Sequence, residues 1–176
     1  FAGEAFDLPV QATTRITSIW GTCVLVTLII AGILEKRIGK RAVAQMGAAG
    51  AILGFVVIAA SGLAGAKNVF YAGVVLLGLG TGLATVSNLS LMLDMTTARV
   101  GLFIGAWGVA DALARLVGTV LAGAVRDVVA QISGNAITGY VSVFAIQAAL
   151  LVISWIILVR IDVGRFRTQT MTLEER

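Results

Sequence analysis

Five long apolar stretches, at about residues 16–34, 42–65, 69–93, 100–125 and 137–159, take up most of the chain. Each is close to or above the roughly 20 residues an α-helix needs to cross the hydrocarbon core of a bilayer. A helix satisfies every backbone N–H and C=O within its own segment, which is what hydrocarbon demands. The expected fold class is therefore all-α and integral to a membrane, with about five transmembrane helices in a single membrane domain over residues 1–176. That confines the function to moving something, holding a pigment or lipid, or packing against other membrane proteins.

Composition agrees. Apolar residues make up 59% of the chain and charged ones 12%, against about 25% charged in a soluble domain; mean hydropathy is +1.00. Five crossings and their joints use up the 176 residues. The one proline, Pro9, precedes the first stretch, and the 21 glycines lie largely inside the stretches, as close helix packing in lipid favours. There is no histidine, which removes the usual axial ligand of haem and the commonest metal ligand and proton shuttle. Neither haem nor a protein metal site is expected. The lone Cys23 reads as a small apolar filler. No nucleophile stands beside a base and no phosphate-cradling loop is present, so an enzyme is not expected.

The net charge of +4 is placed for a membrane surface rather than for nucleic acid. One side of the bundle collects Lys36, Arg37, Lys40, Arg41, Arg99, Arg160, Arg165, Arg167 and Arg176; the other holds Arg15, Lys67 and Arg126. Cytoplasmic joints attract such cations, which places the C-terminus in the cytoplasm and Phe1 on the far side. An odd helix count with that orientation is what a cut through a larger bundle leaves, so an upstream portion is expected before Phe1. Trp20, Tyr71 and Tyr140 fall near the non-cytoplasmic ends of their stretches and Trp155 near the cytoplasmic end of the last, where aromatic rings anchor at headgroup level. Trp107 lies deeper and faces a neighbour or a bound molecule. Glycines four apart recur at Gly50 and Gly54, Gly78 and Gly82, and Gly101 and Gly105, a spacing that lets helix backbones approach.

Few residues are able to carry chemistry. Asp111 and Arg115, in the fourth stretch, share a helical face. Ionisable groups at that depth avoid lipid, so they either line a cavity or clamp two helices. Asn88, Ser87 and Ser90 form a polar patch in the third stretch, followed by Asp94, Thr96, Thr97 and Arg99; Asp94 reads as a helix-end cap or the partner of an arginine. Gln147 in the fifth stretch bonds a neighbouring helix or a ligand.

The most specific local pattern is the joint Gly32-Ile33-Leu34-Glu35-Lys36-Arg37-Ile38-Gly39-Lys40-Arg41, read as a tight turn with glycines at its ends and a basic cluster between. It resembles the gate-loop motif of the major facilitator superfamily, carried here by Gly32, Arg37, Gly39, Lys40 and Arg41, with Lys36 where that motif has an acid. Two further stretches extend the likeness. One is Leu91-Met92-Leu93-Asp94-Met95-Thr96-Thr97, leading into Gly101-Leu102-Phe103-Ile104-Gly105-Ala106-Trp107-Gly108 and on through Asp111 to Arg115. The other is Phe1-Ala2-Gly3-Glu4-Ala5-Phe6 with Thr13-Thr14-Arg15 and Trp20-Gly21. Together they resemble the C-terminal half of the PucC/LhaA, or bacteriochlorophyll delivery, family of major-facilitator-like proteins.

That resemblance implies the last five helices of a twelve-helix fold made of two six-helix halves. It also implies a non-enzymatic assembly factor for light-harvesting complexes, in the photosynthetic, intracytoplasmic inner membrane of a bacterium. The partners would be antenna polypeptides, the reaction centre and membrane lipids, and the cargo chlorophyll or bacteriochlorophyll. The candidate pigment or substrate contacts are Asp111, Arg115, Trp107, Asn88 and Gln147. Magnesium accepts oxygen ligands, so Asn88, Gln147, Asp111, a backbone carbonyl or water would replace histidine. The alternatives are a proton-coupled solute transporter and a resident structural subunit of a reaction-centre–antenna complex.

Overall fold

The structure, a computed structural model, describes residues 1–95 and 100–160. A short helix α1 (Ala2–Phe6) leads into five long ones: α2 (Val10–Ile38), α3 (Lys40–Ala64), α4 (Lys67–Met95), α5 (Val100–Ser133) and α6 (Ala136–Arg160). All five are long and apolar enough to cross a membrane, so the chain is an all-α, multi-pass membrane protein.

The helices outrun the apolar stretches that predict them. α2 begins at Val10 rather than near residue 16, and α5 continues past 125 to Ser133. Hydrocarbon sets where apolar residues must stop, but not where a helix stops. At 1.5 Å per residue the 34 residues of α5 span about 51 Å, well beyond a core of about 30 Å. Its last turns carry Arg126, Asp127 and Gln131 out of the apolar window.

Apart from a cluster of Ile58, Phe70 and Val74, the interior is built from small side chains. Ala31, Val43, Ala44, Ala51 and Ala148 are buried, whereas Leu25, Ile29, Leu63, Leu102 and Ile132 are each exposed by 65% or more. Lipid tails are as apolar as leucine, so large aliphatic residues gain little by turning inward, and close backbone packing decides the interfaces instead. α4 is the hub, packed on α3 along one face and on α2 along another. Gly80 meets the backbone of Gly47, Gly50 and Ala51, and a Cβ there would lie 2.3 Å from the Ala51 nitrogen. Gly78 and Gly82 face Trp20, Cys23, Val24 and Thr27 of α2. The expected close approach therefore holds for Gly50, Gly54, Gly78 and Gly82. Among the described residues it does not extend to Gly101 and Gly105, around which nothing lies within 4 Å, because α5 packs chiefly on α6 and none of its residues is buried.

Where α1 meets the bundle, Phe1, Phe6, Phe70, Tyr140 and Phe144 form a ring cluster, with Phe1–Phe144 centroids 5.1 Å apart and interplanar angle 88°. Edge-to-face pairs of this kind add to what burial alone gives. At the same end, Arg126 Nη1 donates to the Tyr140 hydroxyl at 3.3 Å, and its guanidinium lies 5.4 Å from that ring's centroid. Tyr140 is thus held by its helix neighbour as well as by its place near a helix end.

Candidate functional site

Because α5 leans on α6 and stands off α4, a chamber of about 540 Å³ opens among α2 to α6. Its lining includes Trp107, Asp111 and Arg115 from α5, Asn88 from α4 and Gln147 from α6. All five candidate contacts expected from the sequence converge on this one space. Their spacing explains why. Trp107, Asp111 and Arg115 advance by four residues each time, and on α4 the lining residues Leu77, Thr81, Ala84, Thr85 and Asn88 follow the same helical period.

Arg115 Nε donates to Asp111 Oδ2 at 2.8 Å within α5. The Arg115 side chain is 78% exposed and that of Asp111 40%; both line the chamber, and among the described residues the pair bonds no other helix. Trp107 and Trp20 stand on different helices around the same space, and Phe55 and Leu151 complete its apolar wall. The chamber thus offers two indoles, an ion pair, two carboxamides and two threonine hydroxyls. It presents both apolar surface and hydrogen-bonding groups, and its volume lies within the usual range for small-molecule sites, about 300–1,000 Å³.

The sequence reading missed Trp20, which lies eleven positions into α2 and lines the chamber as well as standing near a helix end. It also missed Thr81 and Thr85, whose four-residue spacing with each other and approach to Asn88 was a usable signal. Ser87 departs from expectation in the other direction: it is fully buried and does not line the chamber, and its hydroxyl has no partner among the described residues.

The gate-loop segment is not a loop. Gly32 to Ile38 are the last turns of α2, α3 starts at Lys40, and the reversal rests on Gly39 alone, at φ 86° and ψ 150°. That conformation is essentially restricted to glycine. Gly32, with nothing near its Cβ position, has no such demand. Arg37 is exposed in the last turn of α2. The next two cations clasp neighbouring helices: Lys40 Nζ reaches Asp94 Oδ1 of α4 at 2.7 Å, and Arg41 Nη2 donates to the backbone carbonyl of Val159 in the last turn of α6. Among the described residues, Asp94 is thus the partner of Lys40. A cation at a helix C-terminus also meets the negative end of the helix dipole. Thr96, Thr97, Arg99, Arg165, Arg167 and Arg176 lie outside the described residues.

Comparisons with known proteins agree on one relationship. The family model described as PUCC protein matches residues 1–166. The chain is 34% identical over 164 residues to "Protein PucC" of Rhodobacter capsulatus, covering 88% of this chain and 35% of that protein. It is 33% identical over 131 residues to "Protein PucC" of Rhodovulum sulfidophilum, covering 73% and 29%. An "Uncharacterized protein in puhA-bchM intergenic region" of Rhodobacter capsulatus is 30% identical over 171 residues, covering 90% and 35%. The chain thus spans about a third of the length of these relatives, none of which is named as an enzyme. No solved structure matches it.

Proposed function

The chain belongs to the PucC family, and from that premise we propose that it serves as a non-enzymatic assembly factor for bacterial light-harvesting complexes. In this reading it holds chlorophyll or bacteriochlorophyll within the membrane and passes it to antenna polypeptides. The observation that carries the proposal is the convergence of Trp107, Asp111, Arg115, Asn88 and Gln147 on one intramembrane chamber. The residues fit the cargo. The indole faces of Trp20 and Trp107 suit a flat macrocycle, Arg115 suits its carbonyl edge, and the carboxamide oxygens of Asn88 and Gln147 are hard donors of the kind magnesium accepts. A weak oxygen ligand suits a carrier that must release what it holds. The working membrane is the photosynthetic inner membrane, with the C-terminus cytoplasmic. In this reading the five long helices complete a major-facilitator-like bundle together with the helices expected upstream of them.

The mid-span Asp111–Arg115 pair also favours a second reading, proton-coupled solute transport, since intramembrane ion pairs mark translocation paths. One experiment separates the two. Asp111→Asn with Arg115→Met, placed in the whole protein in a phototrophic host, is expected to lower antenna absorbance several-fold while the protein still inserts. Normal antenna bands together with lost proton-driven uptake in vesicles would favour transport.

A further inference from the structure

A second cavity, of about 300 Å³, adjoins the chamber toward the end of the bundle where α2 begins. Its wall is apolar and partly aromatic, with Ile16, Ile58, Phe70, Val74 and Phe144 around it and Thr17 at its exposed edge. Trp20 and Leu77 line both spaces, so these two side chains form the partition between them. The aromatic wall is continuous as well: Phe55 lines the chamber and packs on Phe144 of the second cavity with ring centroids 6.2 Å apart.

The two spaces differ in chemistry. The chamber carries the ion pair, two carboxamides and two hydroxyls; the second cavity offers rings and branched aliphatic groups. An apolar pocket inside a bilayer gains little over lipid on hydrophobicity alone. It becomes selective when a neighbouring polar site fixes one end of the guest, because the tethered chain then reaches it at high effective concentration. Phe70 and Val74 are buried with Ile58 in the packed core, so the wall is already formed and need not be ordered on binding.

We propose that the two cavities are one bipartite site for an amphiphile, its polar ring or head in the Asp111–Arg115 chamber and its hydrocarbon chain led past Trp20 into the Phe70–Phe144 cavity. This rests on the reading of the chamber as a ligand site and adds a second subsite, the place where the guest's long chain runs. Trp20 is the positioning residue between the two parts. A tailed magnesium chlorin and a membrane phospholipid share this chemistry.

The test uses the full-length protein in nanodiscs with two probes, each carrying a photoreactive diazirine near the end of its chain: a tailed magnesium chlorin and a phosphatidylcholine. Peptide mapping then locates the crosslinks. The proposal expects the chlorin chain on the segments holding Ile58, Phe70, Val74 or Phe144. That label should fall at least five-fold with Asp111→Asn plus Arg115→Met, which releases the head, and with Thr17→Trp, which fills the cavity from an exposed position without disturbing the packed wall. If only the phospholipid labels these segments, and does so in dependence on Asp111 and Arg115, the bipartite site stands and the pigment reading falls. If the chlorin is retained but its chain labels lipid-facing residues, the bipartite site falls and the pigment reading stands. Cavity labelling that persists unchanged in the double variant marks bulk lipid contact and overturns the proposal.

Discussion

Asp111 and Arg115 are each costly at mid-span unless the other neutralises it. A lone charge at a helix centre costs about 2.5–3.5 kcal/mol on insertion scales. Asp111→Asn alone leaves Arg115 unpaired, whereas Asp111→Asn with Arg115→Met removes both charges. The single variant is therefore expected to accumulate less well in membranes and to unfold at lower temperature than the double variant; equal stability of the two would show that the pair is not a coupled unit. Lys40–Asp94 is a different case. Its side chains are 36% and 46% exposed, and pairs of that kind are worth about 0–1 kcal/mol. Lys40→Ala should cost little stability, and a double-mutant cycle with Asp94→Asn should return a coupling below about 1 kcal/mol. Polarity made the chamber's main residues legible in the sequence, since Asp111, Arg115, Asn88 and Gln147 interrupt apolar runs. Trp20 was not legible in this way, because an indole near a span end looks the same whether it meets headgroups or lines a cavity.

Among the elements, α4 depends on the absence of side chains. A Cβ at Gly80 would fall 2.3 Å from backbone of α3, and backbone cannot swing aside as a flexible side chain can. Gly80→Val is expected to force α3 and α4 apart and lose at least the 1–3 kcal/mol typical of overpacking, read as a lower midpoint in thermal unfolding. Gly105→Ala, with open space around it, should leave the α2–α4–α3 packing unchanged; a marked loss in the whole protein would reveal a partner for α5 beyond residues 1–176. At the α2–α3 reversal, Gly39→Val is expected to cost about 1–3 kcal/mol of backbone strain, while Gly32→Ala is tolerated. The sequence marked both glycines of that segment alike. Only the backbone angles separate them, since a helix that runs to Ile38 turns what read as a ten-residue joint into a one-residue hinge. The number and type of the long helices were legible because hydrocarbon imposes them; their ends were not, because polar residues such as Gln11 and Arg126 extend a helix beyond the bilayer without changing its period.

At the scale of the molecule, most large aliphatic side chains among the described residues face outward while many small ones are buried, and α5 rests on α6 alone among its main contacts. That asymmetry creates the chamber. No single span's sequence could show it, since it depends on which faces of α2, α3, α4 and α6 surround the space beside α5. Family membership could be read from local blocks, one from Leu91 through Trp107 to Arg115 and one from Phe1 to Gly21, but the adjoining apolar cavity could not. Its residues, Ile16, Ile58, Phe70 and Phe144, resemble every other apolar residue in a membrane span until the fold brings them beside Trp20. The central claim is that this chamber holds a chlorophyll-type pigment. Its most direct test is the pigment content of the full-length protein purified from phototrophic membranes, measured by absorbance and mass spectrometry for the native sequence and for Asp111→Asn with Arg115→Met. The account predicts a magnesium chlorin retained by the native protein and largely lost from the double variant at equal protein yield. Equal pigment in both preparations, or none in either, would contradict it.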